Sequence, residues 1–209
     1  MALTKKNWTE LASFDAHART SERNCAGLVE QLGDPRPSAR RWAARDLADC
    51  PQCTTALLDR LQVETDSSVR EIIFTTLIRC SSTEVALGLV EFLRSEDAAV
   101  RNETIEALKQ MPKSVALVMQ ELLRDPDSDV RIFAVNVLES LRHPEVEHWL
   151  VEVIVQDPQV NVCATAVDLL GEVGSRDALK PLLDLKARFG HEPYIQFAAD
   201  LAIRRISEN

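Results

Sequence analysis

The sequence predicts an all-α protein, a solenoid of about six helical-hairpin repeats, and three observations carry that prediction. A turn-and-helix pattern recurs: an acidic or polar residue, often followed by Pro, then five positions on a small apolar residue, usually an Arg beside it, and an apolar residue eight positions further. Asp125, Pro126, Val130, Arg131 and Leu138 show it most fully. The anchor residues Ala39, Val69, Val100, Val130, Val162 and Ile195 are 30, 31, 30, 32 and 33 residues apart, and a fixed period of roughly 20–50 residues is the mark of stacked repeats. Strand signals are missing, since no alternating β-branched run bounded by Asn-Gly or Asp-Gly occurs.

Taken in order, residues 1–20 precede the repeats. Trp8, Leu11 and Phe14 predict a short amphipathic segment that covers the open end of the array. Repeats follow over about 25–51, 54–81, 84–111, 114–142, 145–174 and 177–206, as one domain spanning 1–209, because each unit must bury its apolar face against a neighbour. In the first repeat, Leu28, Val29 and Leu32 mark a helix from Cys25 to Leu32. A turn over Gly33 to Pro37 leads to a second helix from about Ser38 to Asp49, with Pro37 suited to the helix start and Pro51 stopping it. The second repeat has Leu57, Leu58 and Leu61, a turn over Glu64 to Ser67, and a helix to Cys80. The third has Val85, Leu89, Val90 and Leu93, the turn Ser95-Glu96-Asp97, and a helix to about Gln110, ended by Pro112. The fourth has a first helix with Val115, Val118, Met119 and Leu122. The fifth has Val146, Leu150, Val153 and Ile154, then Asp157-Pro158, with Cys163 in the Arg place and a left-handed stop expected at Gly171 or Gly174. The sixth is degenerate: Leu179, Leu182, Leu183 and Leu185, a longer turn through Pro193, and a helix from Tyr194 to Ile206 with Ile195 and Ile203 in the apolar places.

Two polar features recur with the period. Asp66, Asp97 and Asp127 stand three positions before their anchors, where a carboxylate caps the second helix by accepting its orphan N–H groups. Arg40, Arg70, Arg101 and Arg131 follow the anchors and form a ladder one repeat apart. Their forked guanidinium groups reach acidic or carbonyl groups of the neighbouring turn, chiefly to set inter-repeat register.

Composition bounds the rest. Hydrophobic residues at 45% and charged residues at 27% are those of a folded chain. No run approaches the roughly 18 apolar residues of a membrane span, and MALTKKNWTELASF does not read as a signal peptide, so a cytoplasmic protein without a membrane partner is expected. Five thinly spread cysteines point to reduced thiols. A net charge of −9 argues against a general nucleic-acid binder.

Helix–turn–helix units of about thirty residues with D-P-x-x-x-V-R turns, as at Asp125 to Arg131, resemble HEAT repeats, and in particular the phycobilisome-lyase HEAT-like subtype. The resemblance spans about residues 25–206. It implies a right-handed superhelix whose second helices line a concave face that holds partner proteins. It also implies that some relatives attach or detach bilin chromophores, that others with His-Glu pairs bind two irons and hydroxylate a modified lysine, and that a further branch excises alkylated bases from DNA. The di-iron chemistry needs several His-Glu pairs. This sequence has one, His191-Glu192, with His17, His143 and His148 scattered elsewhere.

Helix geometry then selects candidate binding residues. Counted from each anchor, positions four, five and eight face the core with it, while positions two, three and six do not. Those positions hold Arg41, Trp42 and Arg45; Ile72 and Thr75; Glu103 and Glu106; and Ile132, Phe133 and Asn136. An exposed Trp with flanking Arg and further apolar groups has the anatomy of a protein-binding hot spot, Arg-rich at one end and acidic toward Glu103, Glu106, Asp168 and Glu172. The basic cluster Arg36, Arg40, Arg41, Trp42 and Arg45 is a patch rather than a channel, which disfavours nucleic acid. Cys50-Pro51-Gln52-Cys53 is a C-x-x-C, and Cys80 occupies the place of Cys50 one repeat on. The three are either small residues filling inter-repeat space or a candidate for metal or redox chemistry. The expected function is a non-catalytic scaffold binding a protein or peptide segment, without cofactor. The alternatives are a bilin-lyase-like subunit or chaperone, and a Cys-based metal or redox regulator.

Overall fold

The computed structural model describes residues 24–208; the expected cap of Trp8, Leu11 and Phe14 lies outside them. The described residues divide into two compact units between Gly88 and Leu89.

In the first unit, α1 (Cys25–Gln31) and α2 (Pro37–Asp46) form the first hairpin, with Pro37 in the first turn of α2. The helical path continues through short 3₁₀ turns at Leu47–Asp49 and Pro51–Cys53 into α3 (Thr54–Val63) and α4 (Ser67–Cys80). The second helices α2 and α4 pack side by side. They can do so closely because the buried side of α2 is made of small residues: Ala39, Ala43 and Ala44 are all sealed from solvent. The Thr76 hydroxyl of α4 donates to the Ala44 carbonyl of α2 at 2.9 Å. α5 (Thr83–Val90) spans the division between the units.

In the second unit, a 3₁₀ turn at Glu91–Arg94 leads to α6 (Ala98–Lys109), followed by α7 (Pro112–Ala116), α8 (Met119–Leu122) and α9 (Ser128–Leu138). α10 (Val146–Gln156), α11 (Val160–Val173), α12 (Leu179–Arg188) and α13 (Pro193–Glu208) complete it. First helices neighbour first helices (α10 and α12), and second helices neighbour second helices (α6 and α9, α9 and α11, α11 and α13). That is the packing of a helical repeat protein. The periodic residues Leu47, Leu77, Leu108, Leu138 and Leu170 are all buried.

Several expectations are corrected. The first helix of the fourth repeat is broken: the Val118 N–H donates to Val115 at 3.0 Å in a tightened turn, which brings both Val118 and Met119 inward. Gly174 is not a left-handed stop, because its φ is −73°. Both glycines serve close approach instead. A Cβ on Gly174 would sit 2.5 Å from the Leu170 carbonyl oxygen, and one on Gly171 would sit 3.3 Å from the Ala202 Cα of α13. The left-handed cap belongs to Ser81, after α4 (φ 37°). In the sixth repeat Leu183 is exposed and Ile203 half-buried, while Ile195, Ala198, Ala199, Ala202 and Ile206 form the buried side of α13.

The expectation of five reduced thiols also fails. Cys25 and Cys50 form a disulfide, with Cα atoms 5.9 Å apart, and Cys53, Cys80 and Cys163 are free. The antiparallel hairpin places the start of its first helix beside the end of its second, within the span a disulfide requires.

Candidate functional site

The side of α2 away from the core carries Arg41, Trp42 and Arg45. Burial of Ala39, Ala43 and Ala44 fixes the rotation of the helix and turns these three outward. Trp42 is half-buried, Arg41 and Arg45 are exposed, and the Arg45 guanidinium lies 5.2 Å from the Trp42 ring centroid in cation–π contact. α4 contributes Ile72, also half-buried. With Ser38 these residues enclose a cleft of about 180 Å³. Thr75 is exposed one turn on, its hydroxyl donating to the Glu71 carbonyl at 2.8 Å.

The basic cluster read from the sequence resolves into committed and available charges. Arg36 forks onto Asp34 (2.9 Å) at the turn. Arg40 is buried and bidentate to Glu64, with contacts of 2.7 and 2.8 Å, and also donates to the Asp34 and Pro35 carbonyls of its own turn. Among the described residues no carboxylate pairs with Arg41 or Arg45, so those two supply the positive charge at the cleft.

The residues predicted further along lie in the second unit. Glu106 pairs with Lys109 at 3.3 Å, and Lys109 also reaches Glu139 at 3.3 Å. Glu103, Ile132, Phe133 and Asn136 are half-buried. Asn136 lines an acidic depression of about 220 Å³ with Glu139, Thr165, Asp168 and Glu172 between α9 and α11. The Tyr194 hydroxyl donates to Asp168 at 2.7 Å, which raises the phenol's pKa.

Of the four ladder arginines, Arg40 and Arg131 bond both their own turn and the next, and Arg70 and Arg101 donate to carbonyls of their own turns. Arg131 repeats the Arg40 geometry. It donates to the Asp125 and Pro126 carbonyls of its own turn and forks onto Asp157 of the following turn at 2.6 and 3.1 Å. The Glu64 carboxylate also accepts from Arg60 (2.9 Å) and the Asp66 N–H (2.9 Å). Burial alone would raise the Glu64 pKa, but the Arg40 fork, the Asp66 amide and Arg60 outweigh it and hold the carboxyl at about 2. Arg101 donates to the Ser95 and Glu96 carbonyls of its turn, and Arg70 is buried with its guanidinium 3.4 Å from the Thr65 carbonyl. Asp66, Asp97 and Asp127 accept N–H bonds at the starts of α4, α6 and α9.

Where the fifth repeat has Cys163 in place of Arg, Arg188 of α12 substitutes. It donates to the carbonyls of Val155, Ile154 and Asp157 at 2.6, 2.8 and 3.0 Å. Burial pushes the Cys163 thiol up to about 11, so it is inert. Cys50, Cys53 and Cys80 do not offer three thiolates together, because Cys50 is bonded to Cys25. Among the described residues no group of three or more His, Cys, Asp or Glu is placed to hold a metal ion.

Sequence reasoning missed a larger cleft of about 380 Å³ between the turns of the fourth and fifth repeats, walled by Gln120, Arg124, Pro126, Glu152, Gln156 and Pro158. The successive Asp-Pro turns at 125–126 and 157–158 were its signal. No helix among the described residues is long and apolar enough to cross a membrane.

A family model for HEAT repeats matches residues 25–109 and 115–203. No curated protein matches the chain in sequence. Similar solved structures include the archaeal HEAT-like repeats protein from Thermococcus onnurineus NA1, 17% identical over 99% of each chain with a TM-score of 0.47. Another is the complex of CpcE and CpcF of phycocyanin lyase from Nostoc sp. PCC7120, 17% identical over 91% of this chain and 96% of that one, TM-score 0.38. A third is human deoxyhypusine hydroxylase in complex with glycerol, 17% identical over 90% of this chain and 75% of that one, TM-score 0.46.

Proposed function

The chain belongs to the HEAT-repeat family, and from that premise we propose that it is a non-catalytic scaffold that holds an acidic segment of a partner protein in the Trp42 cleft. The observation that carries this reading is the pair of arginines without a carboxylate partner among the described residues, Arg41 and Arg45, beside the half-buried apolar groups Trp42 and Ile72. At about 180 Å³ the cleft is smaller than the roughly 300–1,000 Å³ of small-molecule and cofactor pockets. Its size suits one anchoring side chain of a larger partner, with Trp and Arg supplying the affinity. A partner with Asp or Glu flanking an apolar residue would match both halves of the site. The chain's overall charge of −9 confines attraction for such a segment to this local patch.

The test is a peptide array in which an apolar residue is flanked by Asp and Glu or by Lys and Arg, probed with wild type, Trp42→Ala and Arg41→Glu. Acidic peptides should be retained by the wild type. Trp42→Ala should weaken binding by about 30-fold or more, the scale of a hot-spot residue at ~2 kcal/mol. Equal retention of acidic and basic peptides, or unchanged binding by both variants, would reject this face.

The second reading, a bilin-lyase-like subunit or chaperone, is favoured only by the Asp-Pro turn motif. It would use the same cleft to hold a pigment-bearing protein. Bilin transfer to an acceptor cysteine in the presence of the purified protein would distinguish it from the scaffold reading.

A further inference from the structure

Three cysteines and one glutamine are coupled where the first hairpin closes. Cys50 is buried and bonded to Cys25, which stands at the start of α1. Pro51 begins a single 3₁₀ turn that ends at Cys53. The Cys53 N–H donates to the Cys50 carbonyl at 2.9 Å, closing a four-residue turn. Residues at the two ends of such a turn have Cα atoms less than about 7 Å apart, and a disulfide spans roughly 4.4–6.8 Å. Cys53 is a free thiol and partly exposed. On the other side of the bond, the Gln52 side-chain amide donates to the Cys25 sulfur at 3.3 Å.

We propose that this corner is a thiol–disulfide exchange relay in which Cys53 attacks Cys50 and releases Cys25. A nucleophile, an electrophilic sulfur and a leaving group with a hydrogen-bond donor all meet at this corner, the first two within Cys50–Cys53 and the third on Cys25. Cys53 gives its proton to solvent and attacks the Cys50 sulfur as the thiolate. The Cys50–Cys53 bond forms as the Cys25–Cys50 bond breaks. The bonding pair leaves on the Cys25 sulfur, where the Gln52 amide stabilises the charge until solvent returns a proton. One disulfide and one thiol enter and leave, so no oxidant or reductant is consumed.

The two states differ in what they tie together. The Cys25–Cys50 bond staples the start of α1 to the end of the 3₁₀ turn that follows α2, the helix that carries Trp42. In the Cys50–Cys53 state α1 has no disulfide tie to the rest of the hairpin and relies on contacts that include buried Leu28 and Leu32 and the Gln31 side-chain bond to the Ala39 carbonyl at 3.0 Å. The exchange also leaves Cys25 as a thiol able to form a mixed disulfide with another molecule's cysteine. This inference does not depend on the scaffold reading.

The full chain, purified without reductant and held at pH 8, is alkylated with N-ethylmaleimide at timed intervals, digested, and mapped by mass spectrometry. Two populations are expected. One carries the label on Cys53 with Cys25–Cys50 intact, and the other carries it on Cys25 with Cys50–Cys53 formed. Gln52→Ala should lower the Cys25-labelled fraction several-fold. Cys53→Ser should abolish it, with an unchanged far-ultraviolet circular dichroism spectrum showing that the fold is kept. Label on Cys53 but never on Cys25 in the wild type would overturn the proposal, as would equal labelling of Cys25 in Cys53→Ser.

Discussion

The Glu64 side chain is completely buried, and it is tolerated there because two arginines and a backbone amide meet its oxygens. A carboxyl whose pKa is depressed by folding contributes stability at pH above its unfolded value, near 4.5, and loses it as pH falls toward the folded value of about 2. A shift of that size corresponds to something on the order of 3 kcal/mol. Stability measured by denaturant unfolding should therefore fall between about pH 4.5 and pH 2. Glu64→Gln should be less stable at pH 7 and should show a flatter profile across that window; an identical slope in wild type and variant would refute the assignment. The same residue-level logic separates Arg40 from Arg41. They are adjacent in sequence, yet Arg40 is locked onto Glu64 while Arg41 faces solvent at the Trp42 cleft. Hence Arg41→Glu should leave stability within about 0.5 kcal/mol of wild type while changing binding, whereas Arg40→Ala should cost several kcal/mol by stranding part of a buried ion pair.

At the scale of the element, α11 shows two uses of a missing side chain. Gly174 ends the helix against the Leu170 carbonyl and the Ile206 side chain, so Gly174→Ala should destabilise by about 1–3 kcal/mol, the cost of overpacking. Gly88 in α5 is a contrasting case. A Cβ there meets side-chain atoms alone, the Leu58 Cδ1 at 2.3 Å and its Cγ at 3.3 Å, so Gly88→Ala requires Leu58 to turn aside and should cost less than Gly174→Ala. Thermal melts of the two variants compare them directly. The second use is the Cys163 position. Without an arginine, the Asp157 carbonyl is served from α12 by Arg188. Arg188→Ala should cost about 1–3 kcal/mol through the carbonyls it leaves unmet, and Cys163→Arg in that background should restore part of the loss. No restoration would show that the two positions do not share a role.

For the whole molecule, the division between Gly88 and Leu89 matters more than the count of repeats. The Cys25–Cys50 bond closes a loop of 25 residues inside the first unit. By loop entropy it stabilises that unit by roughly 3 kcal/mol. Reduction by dithiothreitol should lower hydrogen-exchange protection in α1 and α2 while leaving α11 and α13 unchanged. Equal loss of protection in both units would show that the bond acts on more than the hairpin it closes. The net charge of −9 belongs to this scale too. Capture of an acidic peptide depends on two arginines working against that field, so it should weaken as salt rises through the screening range.

The sequence by itself determined the helical class, the period, the buried anchors and the helix caps, because each follows from local spacing: an Asp three residues before an anchor meets the first N–H groups of the same helix whatever surrounds it. It also placed Arg41, Trp42 and Arg45 off the core side of α2 and Ile72 off that of α4, since 3.6-residue geometry fixes what cannot be buried with Ala39 and Ala43 or with Val69 and Ile73. Tertiary structure alone decided the Cys25–Cys50 bond, the choice of Glu64 and Asp157 as ion-pair partners, the replacement of a missing arginine by Arg188, and the use of Gly171 and Gly174 for close approach rather than for a left-handed turn. Each of these depends on which atoms of distant segments come within a few ångströms, and a linear pattern carries no record of that distance.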